Sequence, residues 1–183
     1  FRFRLVQQIG DCKRKIVAVL DRVFPEYQSI FGDVFLRSSR ALLREGVSAE
    51  ELAELDLGEL SHLLSTASRG HFGEERARQV QETAQRSVGV SFLADALRLE
   101  VHCLLDQMEL LEKQIGRIEQ KVEQLMEQVP SHVTTIPGVG SVTGAMFIAE
   151  IGDVDRFDRI DKLVAYTGID PTVYESSQFR GDR

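Results

Sequence analysis

The sequence predicts an all-α protein. Apolar residues recur every three or four positions over residues 3–24, which is the spacing of one face of an amphipathic helix. A capping box, in which Ser48 is followed three positions later by Glu51, marks the start of a further helix. Between residues 90 and 129, apolar residues follow one another at alternating intervals of four and three without a break. Such a pattern is typical of one long helix with a heptad repeat.

These patterns divide the chain into three predicted parts. Its 183 residues suffice for one large domain or two small ones with a real core. No apolar run approaches the ~20 residues that a membrane span needs, so we expect no membrane association. The first residue is not Met and both ends look cut, so we expect a fragment of a longer protein. The predicted parts are a short-helix region (1–88), a coiled-coil helix (89–130) and a partial helix-hairpin-helix-like C-terminal domain (131–183).

The charge of the chain is uneven. The net charge of −7 argues against a protein that simply coats nucleic acid. Residues 1–45, however, carry 9 basic against 5 acidic residues, while residues 46–183 carry 13 against 24. Lys13 and Arg14, on the basic first helix, are therefore candidate contacts for DNA or RNA. The alternative is an ordinary solvated helix face whose partner segment is missing.

The heptad pattern predicts a coiled coil. Its period of 3.5 residues requires a left-handed supercoil with a partner helix, and a helix of this length extends roughly 60 Å. Such a rod cannot bury its stripe against a small domain, and the chain holds no second sustained heptad. We therefore predict a homodimer or higher oligomer through residues 90–129; a hairpin with another helix of the chain is the alternative. The stripe consists of Val90, Ala94, Leu97, Val101, Leu104, Met108, Leu111, Ile115, Ile118, Val122, Leu125 and Val129.

A glycine-rich turn lies just after this helix. Pro137 fixes the entry to the turn, and Gly138 and Gly140 can adopt positive φ and allow close approach of another backbone. A turn of this kind at a helix start directs several backbone N–H groups outward, where they can bind a phosphate. Gly138, Val139 and Gly140 are thus candidate DNA-backbone contacts. The alternative is a connecting turn whose glycines serve only packing.

Acidic residues and serines beyond the turn are weaker candidates for chemistry. The acidic run Asp153, Asp155, Asp158 and Asp161 could place two carboxylates on a cation, but capping and loop solvation explain it equally well. We assign no metal site to this chain. A serine is a poor nucleophile without a base and without cations to hold the developing charge. From the residues alone, a serine pair in a polar turn is usually just part of a loop.

Several strings of residues occur together in a characteristic order: Ile136–Gly140, Ala149–Asp153, Arg156–Phe157, Leu163–Pro171 and Tyr174–Ser177. This series resembles the C-terminal transposase domain of the insertion-sequence-one-hundred-ten family, the DEDD-type DNA recombinases of bacterial mobile elements. The N-terminal half agrees, since Arg2–Leu5 and Val23–Glu26 resemble the basic helix that follows the family's nuclease-like domain.

The resemblance implies a site and partners. In the family a serine in a Tyr-x-Ser-Gly-like string attacks DNA and becomes covalently linked to it. This implies Ser176 as the nucleophile, with Ser177 in place of the usual glycine. Arg180 lies close to this serine pair in the sequence and could hold the developing charge, so it is a candidate DNA contact. The family also implies a structured guide RNA and four acidic Mg²⁺ ligands in an N-terminal domain that would precede Phe1. We expect no cofactor in this fragment, no activity from it alone, and a bacterial, cytoplasmic, nucleoid-associated parent recombinase.

Two other functions fit the residues. One is a non-catalytic helix-hairpin-helix scaffold that binds the DNA backbone for a partner enzyme. The other is a coiled-coil dimerisation protein with no role in nucleic-acid binding.

Overall fold

The structure of the chain, a computed structural model, describes residues 1–129 and 131–168 in full, and the backbone alone of 175–176 and 179–180. Within these residues the protein is all-α, which confirms the predicted fold class. The described part contains a single antiparallel ladder, which pairs two-residue strands β1 (Glu175–Ser176) and β2 (Phe179–Arg180).

The helices of the described residues fall into two compact units, 1–118 and 119–183, with the division inside the longest helix. None of these helices is long and apolar enough to cross a membrane. Short 3-10 turns lie at Val133–Thr135 and Val154–Arg156. The helices run over Arg2–Val23 (α1), Tyr27–Ile30 (α2), Arg37–Glu45 (α3), Ala49–Glu54 (α4), Leu57–Ser68 (α5), Glu74–Gln85 (α6), Ala94–Met126 (α7), Ser141–Ile151 (α8) and Ile160–Tyr166 (α9).

An aromatic cluster anchors the first unit where α1 ends. Phe24 and Tyr27 pack edge to face, and Phe31 packs beside Tyr27, with all three rings buried. The Tyr27 hydroxyl donates a hydrogen bond to the Ser39 carbonyl oxygen at 3.1 Å and lies 2.9 Å from the Ser39 hydroxyl. Burial raises the pKa of the Tyr27 phenol, so the group stays neutral. This buried polar contact ties the start of α2 to α3.

The predicted capping box forms as expected. The Ser48 hydroxyl accepts a hydrogen bond from the Glu51 amide at 3.2 Å, and the Glu51 carboxylate accepts one from the Ser48 amide at 3.0 Å. These contacts satisfy donors that would otherwise be unpaired where α4 begins. Helix α5 packs against α3 and α6, and α4 packs against α6. The apolar side chains at the centre of this packing are Leu42, Leu43, Leu52, Leu60, Leu64 and Val80.

Helix α7 begins later than predicted. Leu93 has a φ of 66°, in the left-handed region, so the helix starts at Ala94 and Val90 lies outside it. The first half of the α7 stripe is buried within the N-terminal unit, in the same core as α1 and α3. The expectation that the stripe could not be buried against a small domain is therefore wrong for this half. The buried stripe residues are Leu97, Val101, Leu104, Met108 and Leu111.

The second half of the stripe differs from the first. Ile115, Ile118 and Val122 are half-buried, while Leu125 and Val129 are exposed. The predicted boundary at 88/89 consequently does not separate two compact units, because α7 contributes core to the unit that precedes it. The proposed coiled coil stays a prediction, and it can involve only the half of α7 after Leu111.

Ion pairs on the polar side of α7 fix it against α3. Arg40 forms two hydrogen bonds with the Glu112 carboxylate, at 2.7 and 2.8 Å. Hydrogen bonding to Arg40 lowers the pKa of the Glu112 carboxyl group. Arg44 reaches Asp106 at 2.6 Å and Glu109 at 3.0 Å. Because these pairs are partly exposed, they contribute mainly to the register between the two helices rather than to total stability.

The connection between α6 and α7 is clamped to the end of α1. The Glu26 carboxylate accepts hydrogen bonds from the Ser87 hydroxyl and, at 3.3 Å, from the Val88 amide. The Ser87 hydrogen bond lowers the pKa of Glu26. The Val90 amide donates to the Arg22 carbonyl oxygen at 2.9 Å. Between these contacts, a Cβ on Gly89 would lie only 2.1 Å from the Val23 carbonyl oxygen.

The second unit buries little of its described part. Among its described residues, Gly144 of α8 alone is buried, while Met146 and Phe147 on the same helix are exposed. Helix α8 occupies nearly the span predicted for it. Helix α9 begins at Ile160 with Arg159 as its N-cap, so the predicted cap by Asp158 does not form; the Asp158 carboxylate pairs with Lys162 at 2.7 Å.

We predict that Gly89→Ala lowers the free energy of unfolding of the chain by about 1–3 kcal/mol, because the new Cβ must displace backbone at the end of α1. Gly116→Ala is the matched control. Gly116 lies in α7 with open space around its Cβ position, so this change should stabilise the chain by about 0.5–1 kcal/mol. Urea unfolding measures both. A Gly89→Ala protein as stable as the parent chain would show that the clamp is not rigid.

Candidate functional site

The glycine turn predicted from the sequence is a tight four-residue turn. The Val139 amide donates a hydrogen bond to the Ile136 carbonyl oxygen at 3.0 Å. Gly138 has a φ of 86°, and Pro137 precedes it. Proline at the second position and a positive φ at the third are the requirements of a type II turn. The positive φ of this turn therefore favours glycine at position 138.

Gly140 has a different role from Gly138. Its φ is −85°, a value open to any residue, and it is the N-cap of α8. The Val139 amide is already used inside the turn and is therefore not an outward donor; a DNA contact by Val139 stays a prediction. The first hydrogen bond within α8 runs from the Gly144 amide to the Gly140 carbonyl oxygen at 2.8 Å. The amides before it, of Ser141, Val142 and Thr143, are the ones that helix geometry leaves for an anion.

Close packing at Gly144 positions this helix start. A Cβ at Gly144 would lie 2.9 Å from Val133 Cγ1 and 3.3 Å from Met126 Cε. The glycine thus lets the 3-10 turn at Val133–Thr135 lie directly against α8. This contact holds the segment that leads into the glycine turn.

The basic candidates of α1 belong to the first unit. Lys13 is half-buried, and its Nζ lies 5.0 Å from the centre of the Phe35 ring, within range of a cation–π interaction. Arg14 is exposed and pairs with Asp11. Part of the predicted basic face is therefore engaged within the chain, and Arg14 is the more accessible of the two candidates.

The predicted nucleophile lies on strand β1. Ser176 pairs with Phe179, and Glu175 pairs with Arg180, in the antiparallel ladder. The backbone therefore places Ser176 and Arg180 on neighbouring strands, which lie about 5 Å apart in such a ladder. The side chains of Ser176 and Arg180 and all of Ser177 lie outside the described residues.

One arginine and two aromatic rings form a cluster that the sequence patterns do not predict. The Arg156 guanidinium carbon lies 4.6 Å from the centre of the Phe157 ring and 4.7 Å from that of Tyr166. Nearby, Asp161 pairs with Arg159 at 3.0 Å, and Asp153 accepts a hydrogen bond from the Asp155 amide at 3.0 Å. In the described residues, no group of three or more His, Cys, Asp or Glu side chains could hold a metal ion.

The C-terminal part of the chain matches the model of a known protein family. Residues 131–183 match the model of the family described as "Transposase IS116/IS110/IS902 family". The match covers less than a third of the chain, but it includes the glycine turn, α8, the Arg156 cluster and Ser176. The match supports a transposase function for the protein, and transposases are an enzyme class of mobile elements. More particularly, it confirms the predicted resemblance to the insertion-sequence-one-hundred-ten family. Comparison of the chain with curated proteins and with solved structures gives no match.

Proposed function

We propose that this chain belongs to a site-specific DNA recombinase in which Ser176 attacks a DNA phosphodiester. The observation that carries the proposal is the family match over residues 131–183, because that segment contains the Tyr174–Ser177 string. In the family which this string resembles, the serine of the string is the nucleophile. The parent protein is then a DNA-binding enzyme of the bacterial cytoplasm, associated with the nucleoid.

The proposed step exchanges one phosphoester bond for another. The Ser176 hydroxyl oxygen forms a bond to phosphorus, and the bond from phosphorus to one deoxyribose oxygen breaks. The serine proton passes to a general base, and the released sugar oxygen takes up a proton. Because a phosphodiester is replaced by a phosphoserine diester, little bond energy is lost, and a second hydroxyl can reverse the attack to join new strands. Arg180, opposite the neighbour of Ser176 in the ladder, is our candidate for stabilising the charge on the phosphate.

Two further partners belong to this proposal. A structured RNA from the element would select donor and target DNA, as the family resemblance implies. Mg²⁺ would be held by four acidic residues of a nuclease-like domain. The described residues contain no group of three or more His, Cys, Asp or Glu side chains that could hold that ion, and Asp158 and Asp161 are paired with Lys162 and Arg159. No step of the proposed reaction is therefore assigned to the metal.

We predict that Ser176→Ala in the full-length protein abolishes the covalent protein–DNA adduct, with a loss of at least about a thousandfold, because the attacking oxygen is gone. Ser177→Ala, the matched control, should keep the adduct. Denaturing gel electrophoresis after incubation with labelled DNA measures it. An undiminished adduct with Ser176→Ala would refute the assignment and favour the non-catalytic scaffold.

A second candidate function, binding of the DNA backbone by the glycine turn, is favoured by the start of α8. The N-cap Gly140 has no side chain to cap the helix, and the amides of Ser141, Val142 and Thr143 precede the first intrahelical hydrogen bond. Unpaired amides and the positive end of the helix dipole favour a phosphate at this position. The same contact serves either a recombinase or a scaffold, so it does not by itself distinguish them.

We predict that Gly138→Ala weakens binding of the chain to duplex DNA by between about three- and tenfold, since alanine at a positive φ costs about 1–2 kcal/mol and distorts the turn. Gly140→Ala should change the affinity much less, because its φ suits alanine and no atom lies within 4 Å of the new Cβ. Fluorescence anisotropy at low salt measures both. Equal affinities of the two variants would mean that the turn does not present the phosphate-binding amides.

We further propose that the chain forms a homodimer through the second half of the α7 stripe. The stripe residues after Leu111 keep the heptad spacing but are half-buried or exposed in this chain. A sustained heptad seam is buried by a second helix. The first half cannot take part, because its residues from Leu97 to Leu111 are buried within the N-terminal unit.

Leu125→Asp should convert the dimer to a monomer without unfolding the N-terminal unit, because Leu125 is 49% exposed in the single chain and the charge would be buried in a dimer. Gln124→Asp places the same charge on a neighbouring exposed position off the stripe and should leave the dimer intact. Light scattering across a concentration series gives the mass of each. A monomeric parent chain, or a dimeric Leu125→Asp protein, would contradict the proposed seam.

A further inference from the structure

Arg156 is held in place by two aromatic rings. The Phe157 and Tyr166 ring centres are 5.4 Å apart, close to the distance of each from the guanidinium carbon. The three groups therefore form a nearly equilateral triangle, whereas a sandwich would place the rings about as far apart as the sum of the two distances. The two rings are thus neighbours of each other and do not lie on opposite sides of the guanidinium carbon. The Tyr166 hydroxyl donates a hydrogen bond to the Glu150 carbonyl oxygen at 3.2 Å, which ties this ring to the end of α8.

The donors of this guanidinium are not used by the surrounding residues. Arg156 is exposed, and within the described part of the chain its side chain forms neither a hydrogen bond nor an ion pair. The other two cations of residues 131–168 are paired: Arg159 with Asp161, and Lys162 with Asp158. Arg156 is therefore the cation of this segment that is both oriented and available.

The chemistry of this arrangement fits a phosphodiester. A guanidinium presents its N–H donors in a rigid planar fork that matches two phosphate oxygens, and it stacks on aromatic rings while doing so. Stacking restricts the long side chain before the ligand arrives, which reduces the ordering cost of binding. Because Asp153 and Asp155 make the surrounding loop acidic, general attraction of anions is weak. Binding must then depend on direct contact with the fork.

We propose that Arg156, oriented by Phe157 and Tyr166, binds a nucleic-acid phosphodiester in the C-terminal unit. This inference rests on the proposed function, since it supposes that the unit contacts nucleic acid. It adds a specific contact that lies outside both the glycine turn and the serine string.

The test compares Arg156→Gln with Arg159→Gln in the whole chain. Both changes remove one positive charge from exposed positions three residues apart, but of the two only Arg156 has a guanidinium in contact with two rings and no ion pair within the described residues. Anisotropy titrations with a labelled DNA duplex and with a labelled hairpin RNA, each at several salt concentrations, give the dissociation constant and its salt dependence. We expect Arg156→Gln to raise the dissociation constant about five- to tenfold and to reduce the slope of its logarithm against log salt by about one, as for one lost phosphate contact. Arg159→Gln should change both far less.

Arg156→Lys tests the planar donor geometry of the guanidinium separately from its positive charge. It should bind more weakly than the parent chain while keeping the parent's salt slope, because lysine retains the charge without the bidentate geometry. If Arg156→Gln weakens binding to both probes, the result supports a backbone contact shared by DNA and RNA. If it weakens binding to one probe, the result supports the contact and identifies which nucleic acid makes it. If Arg156→Gln and Arg159→Gln behave alike while the parent chain binds, this inference alone is overturned. If the parent chain binds neither probe, the inference and the proposed nucleic-acid function are both overturned.

Discussion

The N-terminal unit depends on burial of the first half of α7. Four residues of one stripe, Leu97, Val101, Leu104 and Met108, enter the same core as the apolar faces of α1 and α3. Each such side chain contributes about 1.5–3 kcal/mol when fully buried. Without this helix, α1 and α3 would expose the surfaces that meet it. The ion pairs of Arg40 and Arg44 then select the register in which the helix docks.

The same burial explains where the sequence was informative and where it was not. A heptad pattern reports that a helix has an apolar stripe, but it contains no information about what covers that stripe. The start of α4 was predictable because Ser48 and Glu51 satisfy each other within three residues. The start of α7 was not, because the φ of Leu93 and the close contact of Gly89 with Val23 are set by packing of the α6–α7 connection on α1.

The residues of the candidate site also divide into those that the sequence predicts and those that depend on packing. The turn at Gly138 could be predicted, because a proline directly precedes this glycine. Gly140 belongs to the same glycine motif, yet its φ does not require glycine. Ser176 was identified by family resemblance, since its side-chain chemistry alone is ordinary. The cluster of Arg156 with Tyr166 joins residues ten positions apart across a loop. No periodic pattern in the sequence predicts such a pair. Whether the two side chains meet depends on the conformation of the loop between the 3-10 turn at Val154–Arg156 and α9.

In the C-terminal unit, binding groups are positioned by short-range constraints rather than by a large core. Its described residues bury little, so the amides at the start of α8 owe their direction to the type II turn and to the close packing at Gly144. The Arg156 fork owes its direction to two rings. Amides and guanidinium groups that bind phosphate fix a protein on the nucleic-acid backbone but read no bases. If both contacts form, this unit sets the position of Ser176 along a strand without choosing the sequence. The choice of target must then come from another component, which is the role that the proposed guide RNA would fill.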